Sequence, residues 1–160
     1  MASTSYLARV IVKEHSASQS NLAGSYTLLL AAKSIPSPVS APNTVESTTF
    51  EDDTQTFEMG VKQSGSKEIT GNLDKDHLDT INALAGKTLD IIHLYGTDGV
   101  GGVAKYAYQG EVVATPSDLS GVDSIIEMTA TVVPKTVAEL VTDDYTVTES
   151  NGTFTVAVKN

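Results

Sequence analysis

Three adjacent carboxylates, Glu51-Asp52-Asp53, stand in the stretch "TVESTTFEDDTQTFEMG", between Phe50 and Phe57, and they are the first residues to weigh as a chemical site. A divalent cation needs oxygen ligands that converge on one point, whereas neighbouring side chains on a turn diverge. No histidine or further acid lies within a few residues, so turn chemistry is the expectation. His15, His77 and His93 are far apart and lack both an HExxH and a two-histidine-plus-carboxylate spacing. "DKDHLD", beginning at Asp74, resembles the opening of a calcium loop, but its sixth position is Asp79 where that loop needs glycine, and no glutamate stands at the twelfth. "GTDGVGG", residues 96–102, has the glycines of a phosphate loop without the helix that must follow one. No GxSxG elbow surrounds any serine, and the "NGT" sequon at Asn151 serves equally well as a hairpin turn. With no cysteine there is neither a thiolate ligand nor a disulfide. These residues predict no catalytic centre, no metal site and no cofactor.

The elements that would position such groups read mainly as strands. "YLARVIVK" alternates, and "SYTLLLAAKSI" sets Tyr26, Leu28, Leu30 and Ala32 on one side of a strand. In "IPSPVSAPN", Pro36, Pro38 and Pro42 forbid a helix and leave an extended connector. Beyond it, residues 45–50 and 54–59 are rich in β-branched and aromatic side chains, with "EDD" as the turn of a hairpin. Its few large apolar groups, Phe50, Phe57 and Met59, leave it marginal alone, so it needs a partner surface.

"SKEITGNL" is a further strand. In "DKDHLDTINALAG", Asp74 caps a helix whose apolar stripe is Leu78, Ile81 and Leu84, and Gly86 ends it. Three strands follow: "TLDIIHLYG", "VAKYAYQGEVVAT" and "SIIEMTATVV". Tyr106, Tyr108 and Val112 share one face of the second, and Ile126, Met128, Ala130 and Val132 share one face of the third. In the tail, Asn151-Gly152 makes a type I′ turn that pairs Glu149 with Phe154, Val147 with Val156 and Tyr145 with Val158. "VPKTVAELVTDD" reads as a connector, which makes this hairpin an appendix to the main domain. No repeat at a solenoid period is present.

A chain of 160 residues with 40% hydrophobic content supports one domain with a real core. The segment Met1–Ser5 has no basic region, and Arg9 and Lys13 interrupt the first apolar run, so neither a signal peptide nor a membrane span is expected. A formal charge of −10 fits solubility and argues against affinity for phosphate backbones, which rests on clustered cations.

From Ile35 to Gly99 the succession of elements resembles the major tail proteins of long-tailed bacteriophages. The matching features are a proline-bearing lead, Val45-Glu46-Ser47-Thr48-Thr49-Phe50, then Phe57-Glu58-Met59-Gly60, then Gly71-Asn72-Leu73, a helix and three strands. The likeness covers roughly residues 25–135 by element order. It implies a mainly β fold: a β-sandwich or half-barrel with one flanking helix and a long protruding hairpin. It also implies six-fold rings stacked into a tail tube through which double-stranded DNA passes without specific binding.

Synthesis in the bacterial host cytoplasm, residence in the virion, and the tape-measure and tail-end proteins as partners follow from the same likeness. Residues 1–136 would form the tube domain, with a segment 1–24 and an arm 36–60, and residues 137–160 a connector and hairpin. Val45, Glu46, Thr48, Phe50, Asp52, Asp53 and Phe57 would make the subunit interface. Tyr145, Val147, Phe154 and Val156 would pack on the outside of the same or a neighbouring subunit. Glu68, Glu111 and Glu127, on the solvent faces of strands 66–73, 103–115 and 124–133, would line the channel.

Two other classes fit parts of the sequence. An extracellular β-sandwich adhesin or binding module would explain the threonine-rich strands. A carbohydrate- or calcium-binding accessory domain would need aromatic platforms, which are scarce in a chain with no Trp and three Phe.

Overall fold

The computed structural model describes residues 4–60 and 65–159. In chain order it contains β1 (Arg9–Glu14), β2 (Gly24–Leu28), β3 (Ala32–Ser34), β4 (Thr44–Glu46), β5 (Phe57–Met59), β6 (Lys67–Asn72), α1 (Lys75–Leu84), β7 (Leu89–Tyr95), β8 (Ala104–Pro116), β9 (Glu127–Pro134), β10 (Glu139–Leu140), β11 (Tyr145–Ser150) and β12 (Thr153–Val158). The fold is mainly β, a curled half-barrel sheet with one helix against it. Strand order is β11-β12-β2-β1-β7-β8-β9-β6-β3, with β10 paired to β8, and every pairing is antiparallel.

The central strands bury both faces, which is why "LDIIHLY" is a continuous apolar run rather than an alternating one. One face carries a first core of Val10, Val12, Ile91, Tyr108, Val112 and the inner residues of β6 and β9. The α1 helix closes this core with Ile81, its N-terminus capped by Asp74 as expected. Gly86, just past the helix end, takes φ 78°, the left-handed conformation that glycine adopts without a Cβ clash. The opposite face carries a second core of Ile11, Tyr26, Ile92, Leu94, Phe154 and Val156. The cores are offset along the strand order, the first reaching towards β6 and the second towards β11.

"YTLLLAA" does not run as one alternating strand. Its β2 part ends at Leu28, and Tyr26 enters the second core while Leu29 and Leu30 enter the first. Three successive leucines can serve both faces because the chain leaves β2 with the Leu29 amide bonded to the Val10 carbonyl at 2.9 Å.

The C-terminal hairpin keeps the register set by its turn: Tyr145 faces Val158, Val147 faces Val156 and Glu149 faces Phe154, with Asn151 and Gly152 at φ 51° and 81°. It is not an appendix. Its β12 strand pairs with β2 through Phe154↔Tyr26, extending the main sheet, so residue 136 divides no separate folding unit. The segment before it also joins the sheet. Since β9 covers only Gly110–Pro116 of β8, the free half of that strand's edge is sealed by β10 and by the Val141 amide bonded to the Lys105 carbonyl at 2.8 Å.

Candidate functional site

The arm is the feature most separate from the sheet. Among the described residues its β4 and β5 pair only with each other, three residues each, with Val45 opposite Glu58 and Glu46 opposite Phe57. Strands of six were expected. Ser, Thr and Asp side chains take over the backbone groups of 47–56 instead, as these residues do wherever they can compete with a ladder. Thr48 Oγ1 accepts from the Thr56 amide at 2.9 Å, and the Asp52 carboxylate accepts from the Thr49 amide at 2.7 Å and its hydroxyl at 3.2 Å.

Asp52 therefore closes a turn over Thr49–Asp52, and Glu51 and Asp53 stand exposed beside it without converging. Phe50 is fully exposed, and Val45, Phe57 and Met59 are exposed too. Among the described residues, these large apolar groups are uncovered, with Phe57 and Met59 on one face of the ribbon and Val45 on the other.

The three glutamates share one face. Strand registers align Glu68 with Thr131 and Val113, Thr70 with Thr129 and Thr115, and Glu111 with Val133, all on the side of β6, β9 and β8 away from the first core. Their electrostatic states differ. Glu127 accepts from Lys33 at 2.9 Å and Glu111 lies 3.2 Å from Lys135 Nζ, so each is compensated within the chain. Glu68 is exposed and, among the described residues, has no ion-pair partner.

Val147, Phe154 and Val156 of the C-terminal hairpin are buried, with Tyr145 packed at the margin of the second core. They meet Ile11, Tyr26 and Ile92 of their own sheet. Arg9 fastens the junction: its guanidinium lies 5.5 Å from the Phe154 ring centroid and 2.7 Å from the Glu149 carboxylate.

The histidines stay apart. His15 Nδ1 is 3.0 Å from the buried Asp90 carboxylate, which Lys13 approaches at 3.7 Å. That pair floors an open cleft of about 440 Å³ bounded by Gln109, Glu139 and Tyr145. His77 Nδ1 is 3.0 Å from Asp74, near enough for attraction but not aligned for a hydrogen bond. His93 is fully buried, with Nε2 2.9 Å from the Tyr108 hydroxyl and Nδ1 unpartnered. Burial, helped by the Lys67 charge, pushes its pKa down to about 4. Among the described residues no cluster of three or more His, Asp or Glu side chains is placed to hold a metal ion.

The 96–102 loop is the turn between β7 and β8. Gly99 and Gly101 both take φ 77°, and the Asp98 carboxylate accepts from the Val100 and Gly102 amides at 3.1 Å each. Partial burial works to raise the Asp98 pKa, but those amides and Lys105 outweigh it and hold the group below its usual range. Its backbone donors thus serve Asp98 itself.

One surface escaped the sequence reading. Between β8 and β9, residues 117–126 expose Leu119, Val122, Ile125 and Ile126. Ile125 and Ile126 belong to the "SIIEM" run expected to open a strand, yet β9 begins only at Glu127. An apolar run gives the same signal whether it faces a core or a partner. Among the described residues no helix is long and apolar enough to cross a membrane. Comparison of the chain with protein-family models and with curated proteins found no match to either.

Proposed function

We propose that this chain is a structural subunit that assembles with copies of itself into stacked hexameric rings, a tail tube of the kind found in long-tailed bacteriophages, and that it is not an enzyme. The observation that carries the reading is the arm, whose Val45, Phe50, Phe57 and Met59 are exposed on a ribbon paired with no strand of the main sheet. Such a ribbon is stable when another surface covers it. A ring requires a heterologous contact, in which one surface of each subunit meets a different surface of the next. The arm supplies one such surface, and the exposed Leu119–Ile126 loop supplies further uncovered apolar area.

In this reading Val45, Glu46, Thr48, Phe50, Asp52, Asp53 and Phe57 lie between subunits, and the tape-measure and tail-end proteins are the other partners in the virion. The face bearing Glu68, Glu111 and Glu127 lines the channel. The number of subunits per ring and the passage of DNA come from the likeness in element order. Support from charge is the −10 formal balance, since a conduit for duplex DNA must not bind it.

Negative-stain electron microscopy of the purified protein is the direct test. Hollow tubes or rings are expected. Dispersed monomers at high concentration across a range of salt would refute the proposal and favour a monomeric adhesin-like module.

A further inference from the structure

We propose that His93 and Lys67 make the start of β6 an acid-opened latch, so that protonation of one buried imidazole frees the strand that receives the chain from the arm. The two side chains meet in the first core from different strands. His93 projects from β7, 0% exposed, and Lys67 projects from the first position of β6, 5% exposed. Tyr108 of β8 stands between them: its hydroxyl is 2.9 Å from His93 Nε2, and Lys67 Nζ lies 5.9 Å from its ring centroid. The Lys67 ammonium donates to the Gly65 carbonyl at 3.3 Å, so the lysine that enters the core also ties down the residues leading into β6.

Among the described residues, the surroundings of His93 contain nothing to neutralise a second cation. From β6 it faces Lys67, from β8 Tyr108, and on its own strand it lies 6.5 Å, ring to ring, from Tyr95, which stacks edge-on with Tyr106. Opposite it on β1 is Val10. The charged β1 side chains Arg9 and Lys13 lie over Phe154 and Tyr26 in the other core, and Asp90, three residues before His93, binds His15 on that same side. The acids of the first turn of α1 are exposed at the surface.

An imidazolium donates from both nitrogens. Tyr108 can accept one of those bonds, and Nδ1 has no acceptor among the described residues. Protonation therefore creates an unpaired buried donor and a cation beside a cation. Both are relieved if Lys67 withdraws to solvent, which removes the Lys67–Gly65 bond and loosens the entry into β6, the end of its ladder with β9. The depressed pKa of His93 agrees with this geometry and sets the opening in mild acid.

Hydrogen exchange across residues 65–72 tests the latch on the full chain at pH 7 and pH 4, read as protection factors so that the intrinsic pH dependence is removed. Wild-type protection in this stretch is expected to fall at least tenfold more than that of β11 and β12, and His93→Gln, which keeps a neutral partner for Tyr108, is expected to lose the difference. Imidazole NMR on the wild type follows the same event without a substitution: His93 should protonate in step with the loss of protection. Equal opening in H93Q, opening while His93 remains neutral, or protonation with 65–72 still protected would each overturn the proposal.

Only its consequence for tubes rests on the assembly reading. If tubes form, acid should shorten those of the wild type and spare those of H93Q. Selective acid opening of β6 in a protein that makes no tubes would leave the latch standing and the assembly reading refuted.

Discussion

At the residue scale, Phe50 and His93 mark opposite demands on a side chain. Phe50 stabilises nothing in its own protomer, so Phe50→Asp should change the unfolding free energy by no more than about 0.5 kcal/mol. In the proposed assembly, the same substitution puts a charge where an apolar contact between subunits is required. The expected pair of results is an unchanged cooperative melt and the loss of tubes by electron microscopy; tubes of normal abundance would remove the arm from the interface.

His93 works on the fold itself. Its folded pKa of about 4 lies below the usual histidine value, so between those values the unfolded chain binds a proton that the folded chain refuses. Stability must then fall as pH drops through that window and level off below the folded pKa, by roughly 3 kcal/mol in all from this one group. Urea unfolding at pH 7 and pH 4.5 measures it, with H93Q as the reference lacking that component. The sequence displayed His93 as one isolated histidine among three. Its neighbours Lys67 and Tyr108 are 26 and 15 positions away, and only strand pairing brings them together.

At the element scale, the C-terminal hairpin shows how far a local rule reaches. Asn151-Gly152 with alternating side chains determines turn type and register, because both depend on residues within ten positions of each other. What the apolar face covers depends on β2 and β1, more than a hundred residues earlier. Since Phe154 fills the second core beside Tyr26, Phe154→Ala should cost about 3–5 kcal/mol, read as a lowered denaturation midpoint. Deletion of residues 143–160 should abolish cooperative folding, because it strips the cover from Ile11, Tyr26 and Ile92. A truncated protein that still melts cooperatively would restore the hairpin to the status of an appendix. The arm shows the complementary limit: propensity placed its strands, but hydroxyl and carboxylate side chains of 47–56 claimed the backbone bonds that six-residue strands would have used.

At the scale of the whole molecule, the electrostatics of a stacked assembly come down to which carboxylates are uncompensated. Lys33 and Lys135 pair with Glu127 and Glu111, leaving Glu68 as the exposed member of the trio that, among the described residues, has no cation beside it. If that face lines a channel, Glu68→Lys alone should lower DNA delivery, because it turns the uncompensated carboxylate of the face into a cation. The loss should deepen at low salt, where the screening length grows beyond roughly 8 Å. Delivery counted at several salt concentrations, with the variant protein verified in assembled tails, checks this; equal delivery throughout would move the face off the channel.

The sequence alone determined what short-range chemistry controls: strands against one helix, the Asp74 cap, the Asn151-Gly152 register, and the divergence of Glu51, Asp52 and Asp53. The tertiary structure decided what depends on distant segments meeting. Tyr26 and Leu30 were assigned to opposite cores, the tail was drawn into the main sheet, two glutamates were given lysine partners, and a histidine was enclosed with a lysine. The reason is that hydrophobic burial is not directional. An apolar run specifies that something must cover it, and only the assembled sheet specifies what does.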